Sequence, residues 1–350
     1  DLSLLAVPVL DASLAREFLQ NIEVLEEETT KVEEKEENNT TTSNDKKKKR
    51  DLWSLAEAVR HAQVREDLVL IKSSTKKSKQ NKKKETLRSE LQRLFCSNNV
   101  ERSRISLLLS KLPKRWERVG NDVVVIPEKS LCEPEWRYGW KCIAKNLSAK
   151  MLVRRATIDT GRMRQSRVAV LHNDLKSNWV EVKQHSIRYM FDITRVMFSA
   201  GNTTERKRMG MLESKDDVVV DMYVGIGYFT LPLLIHGNVK HVHACEINPD
   251  SIEALRRNLK LNRVDSSRYT IHHGDNVETA KGLEGIADRV LLGLIPTAKL
   301  AYKSAVSLLR RDRGGWLHVH ENVHEDKRMS FSKSLERTLE SYAMSLGLEN

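Results

Sequence analysis

The chain has 350 residues, of which 39% are hydrophobic and 31% charged, enough for two or three domains with a sizeable core. No apolar run approaches the roughly 18 residues that span a bilayer, which excludes a transmembrane protein and predicts a soluble one. The net charge of +12 favours a polyanionic partner, although lysine-rich runs at residues 46–50 and 72–85 resemble solvated insertions and lend nucleic-acid binding only weak support.

The first 20 residues carry no basic segment of the kind that opens a signal peptide. They also begin without Met, so we expect residues to be missing before Asp1. Four cysteines are scattered along the chain with no C-x-x-C pair: Cys96, Cys132, Cys142 and Cys245. This spacing fits neither a disulfide framework nor a zinc site, so we expect a reducing, cytoplasmic location and no metal.

Four segments follow one another along the chain. Residues 1–50 combine a short apolar opening with an acidic, polar stretch that we expect to be largely disordered. Residues 51–140 predict helices interrupted by the second lysine run. Residues 141–215 predict a β-rich RNA-binding or connecting domain, because "WVEVKQHSIRYMFDITRVMF" alternates apolar and polar residues. The fourth segment, residues 216–350, alternates strand and helix.

That fourth segment can be divided into its elements. Its predicted strands are "DVVVDMYV", "HVHACEI", "RYTIHHGDN", "DRVLLGLIP" and "GWLHVHENV". Helical patterns separate most of these strands, as in "NPDSIEALRRNLKLN", where apolar residues recur at helical spacing after an Asn-Pro start. Strands that alternate with helices form a parallel, doubly wound sheet, so the fold class is α/β and Rossmann-like.

A glycine-rich turn follows the first of these strands, in the stretch from Asp221 to Thr230, and we expect Asp221 to contact the bound cofactor together with this turn. A dinucleotide fingerprint has a third glycine where this chain has Thr230, and a P-loop has a Lys-Ser/Thr pair that is absent here. A ligand without phosphate that passes close to the backbone needs only the first two glycines, Gly225 and Gly227. S-adenosylmethionine is such a ligand.

Polar residues also close the next two strands. Glu246 ends the second strand, where a carboxylate is placed to accept both ribose hydroxyls. Asp275 and Asn276 end the third strand, where they are placed to bind the adenine edge. Each of these residues has an alternative role as a helix cap or turn residue. Together they predict a cofactor site at the carboxyl edge of the sheet.

Several motifs of this segment resemble those of the class I family of tRNA position-37 modifying enzymes. They are "DMYVGIGYFTLPLL", "HVHACEINPDSIEALRRNLKLN", "HHGDN", "DRVLLGLIP" and, before the first strand, "FDITRVMFSAGNTTERKRM". The resemblance covers about residues 186–325. It implies a class I methyltransferase sheet, S-adenosylmethionine as cofactor, and cofactor contacts from Ser199 and Arg206. Arg206 stands where the family has a lysine. Such sheets end in an antiparallel strand pair, which we expect to be lost from this chain by truncation.

The family contains aminocarboxypropyltransferases of wybutosine synthesis and guanine-37 N1-methyltransferases. The methyltransferases carry an Asn-x-Pro type stretch after the fourth strand, whereas this chain has "LGLIPTAK". Its backbone and apolar surface suit a carbon acceptor, so we predict aminocarboxypropyl transfer to 4-demethylwyosine in phenylalanine tRNA. The alternatives are methyl transfer to guanosine 37 and a non-catalytic RNA-binding protein with a degenerate transferase fold.

The sequence names no catalytic base. His320 and Glu321, at the end of the fifth strand, are weak candidates, with a structural strand-end role as the alternative. For the tRNA anticodon loop, "KLPKRWERVG" and "PEWRYGWKCIAK" interleave cations with Trp116, Trp136, Tyr138 and Trp140, and "MLVRRATIDTGRMRQSR" adds a basic stretch just after them. Tryptophans in such stretches also form cores. We expect a monomer that binds tRNA and no membrane.

Overall fold

The computed structural model describes residues 4–8, 87–156, 161–198 and 201–348. Residues 4–8 and the described residues from 91 onward form one compact unit. The acidic stretch, both lysine runs and the first predicted helix lie outside the described residues. Within the described ranges, no helix is both long and apolar enough to cross a membrane.

The region before residue 174 contains helices and a small sheet. Its elements are β1 (Leu4–Pro8), α1 (87–97), α2 (Arg102–Ser110), β2 (Glu117–Val119), β3 (Val123–Ile126), α3 (Trp140–Asn146), β4 (Met151–Arg154) and β5 (Ala169–Asn173). The small sheet has the order β2-β3-β4-β5, with only β3 and β4 parallel. Strands β2 and β3 correct the purely helical prediction for this part of the chain. The β-branched run "VVVI" is wholly buried in β3, and such residues pack well on a pleated surface.

The next region forms the hairpin that the alternating pattern predicts. Strands β6 (Trp179–Gln184) and β7 (Ile187–Asp192) pair antiparallel along their full length. Burial alternates along both strands, so one face packs against the core and the other faces outward. Helix α4 (Thr203–Gly210) follows.

A six-stranded sheet confirms the predicted α/β fold. Its chain order is β8 (Val218–Asp221), α5 (Thr230–Ile235), β9 (His241–Glu246), α6 (Pro249–Leu261), β10 (Tyr269–His273), α7 (Asn276–Thr279), β11 (Arg289–Leu292), α8 (Tyr302–Leu308), β12 (Trp316–His320) and α9 (Arg328–Ser345). The strands lie in the order β1-β12-β11-β8-β9-β10, and all are parallel except β1. Among the described residues no strand follows α9, and β1 provides the antiparallel edge beside β12. The carboxyl ends of the five parallel strands therefore meet at one edge.

Helix α6 links the sheet to the hairpin. It begins as the sequence predicts, because the Asn248 side chain accepts the Asp250 N–H and Pro249 occupies the first turn. On its buried face, Asn258 Oδ1 accepts the backbone N–H of Met190 in β7, while Asn258 Nδ2 donates to the carbonyl of Ile226 at 3.1 Å. A single buried amide thus connects the hairpin to the glycine turn, which fixes the floor of the site described next.

Candidate functional site

A cavity of about 460 Å³ opens at the carboxyl edge of the sheet. Four of the predicted cofactor residues line it, namely Gly225, Glu246, Asp275 and Asn276. They follow strands β8, β9 and β10, so the sheet brings together side chains that the sequence separates. The volume lies within the range of small-molecule sites.

The glycine turn has the backbone conformation that only glycine adopts easily. Gly225 has φ +55° and Gly227 has φ +96°. A Cβ at Gly227 would stand 3.0 Å from both Leu231 Cγ and Leu255 Cδ1, so this glycine allows helix packing and does not line the cavity.

Asp221 lies beneath this turn. Its side chain is buried, and Oδ2 accepts the Thr230 hydroxyl at 2.8 Å while Oδ1 accepts the Tyr223 N–H at 3.3 Å. Burial raises the pKa of Asp221 to about 6, although the Thr230 hydrogen bond opposes this shift. Asp221 does not line the cavity, and it braces the turn from both ends.

Glu246 lines the cavity with its carboxylate already bound to backbone. Oε2 accepts the Gly225 N–H at 2.8 Å, and Oε1 accepts the N–H groups of Ile247 at 2.9 Å and Asn248 at 2.8 Å. Burial raises the pKa of Glu246, and the backbone hydrogen bonds only partly offset it. A carboxylate offers about four acceptor positions, so one further donor fits without loss of these bonds. If two ribose hydroxyls bound to Glu246, one of its three backbone hydrogen bonds would be lost.

Asp275 and Asn276 follow β10. Asp275 Oδ1 caps α7 by accepting the Val277 N–H at 3.0 Å, and its Oδ2 accepts a hydrogen bond from Arg162. The Arg162 guanidinium holds the pKa of Asp275 below its ordinary value. Asn276 Nδ2 donates to the carbonyl of Met222 at 2.8 Å. Asp275 therefore both caps α7 and lines the cavity.

A cover segment, residues 161–164, lies along the same end of the cavity. The sequence predicts RNA binding for the basic stretch that contains it and does not indicate its place at the cofactor site. All four of its residues line the cavity. Arg162 binds Asp275, and Asn248 Nδ2 donates to the carbonyl of Met163 at 2.9 Å. Arg162 and Asp275 are 113 positions apart, and no local pattern signals such a pairing.

Arg206 is buried among aromatic rings. Its Cζ lies 4.8 Å from the ring centre of Tyr228, 5.3 Å from Phe198 and 5.8 Å from Tyr189. It also donates to Gln184 Oε1, and burial lowers its pKa. Of these groups only Tyr228 lines the cavity, and Arg206 lies behind it. Ser199 lies outside the described residues.

His320 and Glu321 are both buried at the end of β12, and neither lines the cavity. His320 Nε2 lies 3.1 Å from Glu205 Oε1, and its ring stacks on Phe229 at 4.6 Å. Glu321 Oε1 accepts hydrogen bonds from residues of the loop after β11, namely the Thr297 hydroxyl, the Ala298 N–H and the Tyr302 hydroxyl. Both side chains are therefore held by hydrogen bonds at the end of the strand.

The far end of the cavity is apolar. Gly293, Leu294 and Leu300 line it after β11. The four residues Gly293 to Pro296 contribute no side-chain amide. This end of the cavity therefore presents backbone groups and hydrocarbon side chains to a second substrate that binds beside the cofactor.

The expected aromatic and basic surface is only partly exposed. Trp136 is wholly buried and packs edge-on against Phe95 at 5.4 Å, which corrects its assignment to an RNA-binding surface. Trp116 is 36% exposed, and Arg137 stands over the ring of Tyr138 at 4.9 Å. In the part of the chain that the structure describes, no group of three or more His, Cys, Asp or Glu side chains is arranged to hold a metal ion.

Known proteins resemble the chain over most of these elements. The family described as TRM5/TYW2 methyltransferase domain matches residues 180–349, and the TYW2 N-terminal domain matches residues 102–172. The tRNA wybutosine-synthesizing protein 2 homolog of Danio rerio is 38% identical over 291 residues, which cover 81% of this chain and 69% of that protein. The Homo sapiens homolog is 42% identical over 220 residues, or 62% of this chain and 48% of the relative.

In Arabidopsis thaliana, tRNA wybutosine-synthesizing protein 2/3/4 is 43% identical over 244 residues, or 69% of this chain and 24% of the relative. The chain thus spans about a quarter of this plant protein and about half of the human one. Among solved structures, P. horikoshii TYW2 in complex with MeSAdo has a TM-score of 0.56 and 26% identity, covering 72% of this chain and 86% of that one. M. jannaschii TYW2 in complex with AdoMet has a TM-score of 0.50 and 26% identity, covering 66% and 85%.

Proposed function

The chain belongs to the tRNA wybutosine-synthesizing protein 2 family, and we propose that it is an S-adenosylmethionine-dependent aminocarboxypropyltransferase. Its acceptor is 4-demethylwyosine at position 37 of phenylalanine tRNA. The two archaeal relatives above are complexes with MeSAdo and AdoMet, which supports the cofactor assignment. The net charge of +12 supports a polyanionic partner, and we assign the protein to the cytoplasm as a monomer.

One observation carries the choice of transferred group. The cavity wall after β11 consists of Gly293 and Leu294, with no side-chain amide among residues 293–296. An amide at this place would help to orient a ring nitrogen for methylation. A carbon acceptor on a tricyclic base needs no such hydrogen bond and packs well on hydrocarbon.

The cavity fits the cofactor. Its glycine turn lacks the third glycine of a pyrophosphate site, and Gly225 brings backbone to the wall without a Cβ. In our assignment Glu246 accepts a ribose hydroxyl, and Asp275 with Asn276 contacts the adenine. Ser199 contacts the methionine end, while Arg206 supports the aromatic wall behind Tyr228.

Bound S-adenosylmethionine would supply a sulfonium with an electrophilic methionine γ-carbon. The acceptor carbon would form a bond to this γ-carbon and lose a proton, while the bond from the γ-carbon to sulfur breaks and methylthioadenosine leaves. The contribution of the chain is positional. Glu246 and Asp275 would hold the adenosine end of the cofactor, and the apolar residues after β11 would hold the acceptor base against its other end. Such orientation is a large source of rate enhancement in group transfer.

A double-label experiment tests the proposal. The full-length protein is supplied with tRNA carrying 4-demethylwyosine and with S-adenosylmethionine labelled separately in its methyl and carboxyl groups. We expect only the carboxyl label to enter the RNA, and neither label to enter tRNA with unmodified guanosine 37. Methyl label in guanosine-37 tRNA would refute the proposal and indicate a methyltransferase. Binding of tRNA without binding of the cofactor would instead indicate a non-catalytic RNA-binding protein.

A further inference from the structure

Leu300 is the most exposed of the large apolar side chains that line the cavity. It is 97% exposed, in a short turn over Lys299–Ala301 that follows β11. Single exposed leucines are common on protein surfaces and need no explanation. Leu300 differs because it forms part of the cavity wall, while Ala298 and Ala301 on either side of it are buried.

The backbone around Leu300 is anchored on both sides. Glu321 Oε1 accepts the Thr297 hydroxyl at 2.7 Å, the Ala298 N–H at 3.1 Å and the Tyr302 hydroxyl at 2.5 Å. One buried carboxylate thereby ties together the residues before and after Leu300. An anchored backbone cannot easily turn the leucine inward, so the side chain stays in solvent at a defined place on the rim.

The rim at Leu300 is the end of the cavity away from the adenine position. Strands β10 and β11 are separated in the sheet by β9 and β8, which corresponds to about 14 Å at a strand spacing of about 4.8 Å. The β10 end is covered by the cover segment through the Arg162–Asp275 pair. Within the described residues, the most exposed apolar side chain of the rim, Leu300, lies at the β11 end, whereas Met163 in the cover segment is 44% exposed at the other end.

The charge beside Leu300 suits a nucleic acid. Lys299 adjoins it, and Lys303 follows about one helical turn later; both are exposed. Exposed lysines neutralise the phosphates of a nucleic acid that binds beside them. Enzymes that modify a base inside structured RNA or DNA commonly take it out of the stack and hold it against apolar side chains.

We propose that Leu300 is a specificity-determining contact on which the target base of the RNA packs as it enters the cavity, an inference that rests on the proposed function. Glu321 is then a positioning residue that holds the Leu300 turn. The weak catalytic candidate of the sequence analysis thus acts on the acceptor through the loop.

The test compares Leu300→Ala with Leu107→Ala, a matched substitution at a half-exposed leucine on α2 outside the cavity wall. Transfer of carboxyl label gives kcat and KM for tRNA, and calorimetry gives the affinity for S-adenosylmethionine. For Leu300→Ala we expect kcat/KM for tRNA to fall about tenfold, equivalent to about 1.4 kcal/mol. The cofactor affinity should stay within about twofold. Leu300→Met, which keeps the hydrocarbon, should retain most of the activity.

Equal kcat/KM for Leu300→Ala and Leu107→Ala would overturn the inference. A parallel loss of cofactor affinity would also overturn it, because Leu300 would then belong to the cofactor site. If the parent protein transfers no label, the proposed function itself fails and this inference fails with it. If the parent is active and Leu300→Ala is unaffected, only the role of Leu300 is refuted.

Discussion

Replacing Glu246 by glutamine tests the cofactor site most directly. The carboxylate accepts three backbone N–H groups, two at Oε1 and one at Oε2. In Glu246→Gln the amide oxygen can keep the two bonds from Ile247 and Asn248, but the amide NH₂ then faces the Gly225 N–H. The variant therefore loses an acceptor in the glycine turn and the negative charge offered to the ribose.

The size of the effect follows from these contacts. A buried donor left without its acceptor costs about 1–3 kcal/mol, and a hydrogen bond to a charged group contributes about 1.5–3 kcal/mol. We expect the free energy of unfolding to fall by about 1–3 kcal/mol. We also expect the affinity for S-adenosylmethionine to fall about ten- to a hundredfold. Titration calorimetry well below the melting temperature measures the affinity, and urea unfolding measures the stability.

Asp265→Asn is the control. Asp265 also accepts a backbone N–H, from Ser267 at 2.9 Å, but it lies before β10 and outside the cavity wall. The Asp265→Asn variant should bind S-adenosylmethionine with the same affinity as the parent protein. If Glu246→Gln binds S-adenosylmethionine within about twofold of the parent, where tenfold corresponds to 1.4 kcal/mol, the assignment of Glu246 to the ribose is wrong.

Three further predictions concern the turn, the cover segment and the core. The pKa of Asp221 is raised to about 6, so its carboxyl binds a proton more tightly in the folded than in the unfolded state. Its contribution to stability should therefore fall between about pH 4 and pH 6 and be constant above, and Asp221→Asn should flatten urea-unfolding free energies across that window. Arg162→Ala should weaken cofactor affinity by at most about fivefold, and less in high salt, because Arg162 is 74% exposed; a loss that salt does not reduce would contradict a surface ion pair. Trp136→Ala should destabilise the protein by about 3–5 kcal/mol in denaturant unfolding, because the ring is buried against Phe95; an intact stability with weakened tRNA binding would restore its surface role.

The elements that depend on near neighbours in the chain could be predicted from local patterns. Strands β8 and β11 are apolar on both faces, which specifies the interior of a parallel sheet. Helix α6 is determined by its Asn248 cap, Pro249 and apolar spacing. Because parallel strands place their carboxyl ends at one edge, the positions of Gly225 and Glu246 in the cavity wall followed from these elements.

The pairing of distant segments could not be predicted from such patterns. The cover segment reaches Asp275 through Arg162, 113 positions away, and no periodicity encodes that contact. An aromatic residue between cations looks the same in sequence whether it faces solvent or, like Trp136, another helix. The surroundings of Arg206 could not be predicted either, because its aromatic neighbours come from both the hairpin (Tyr189) and the glycine turn (Tyr228). Local propensities determine where a helix or strand begins and ends. The elements that it packs against depend on which apolar faces of the whole chain can be buried together.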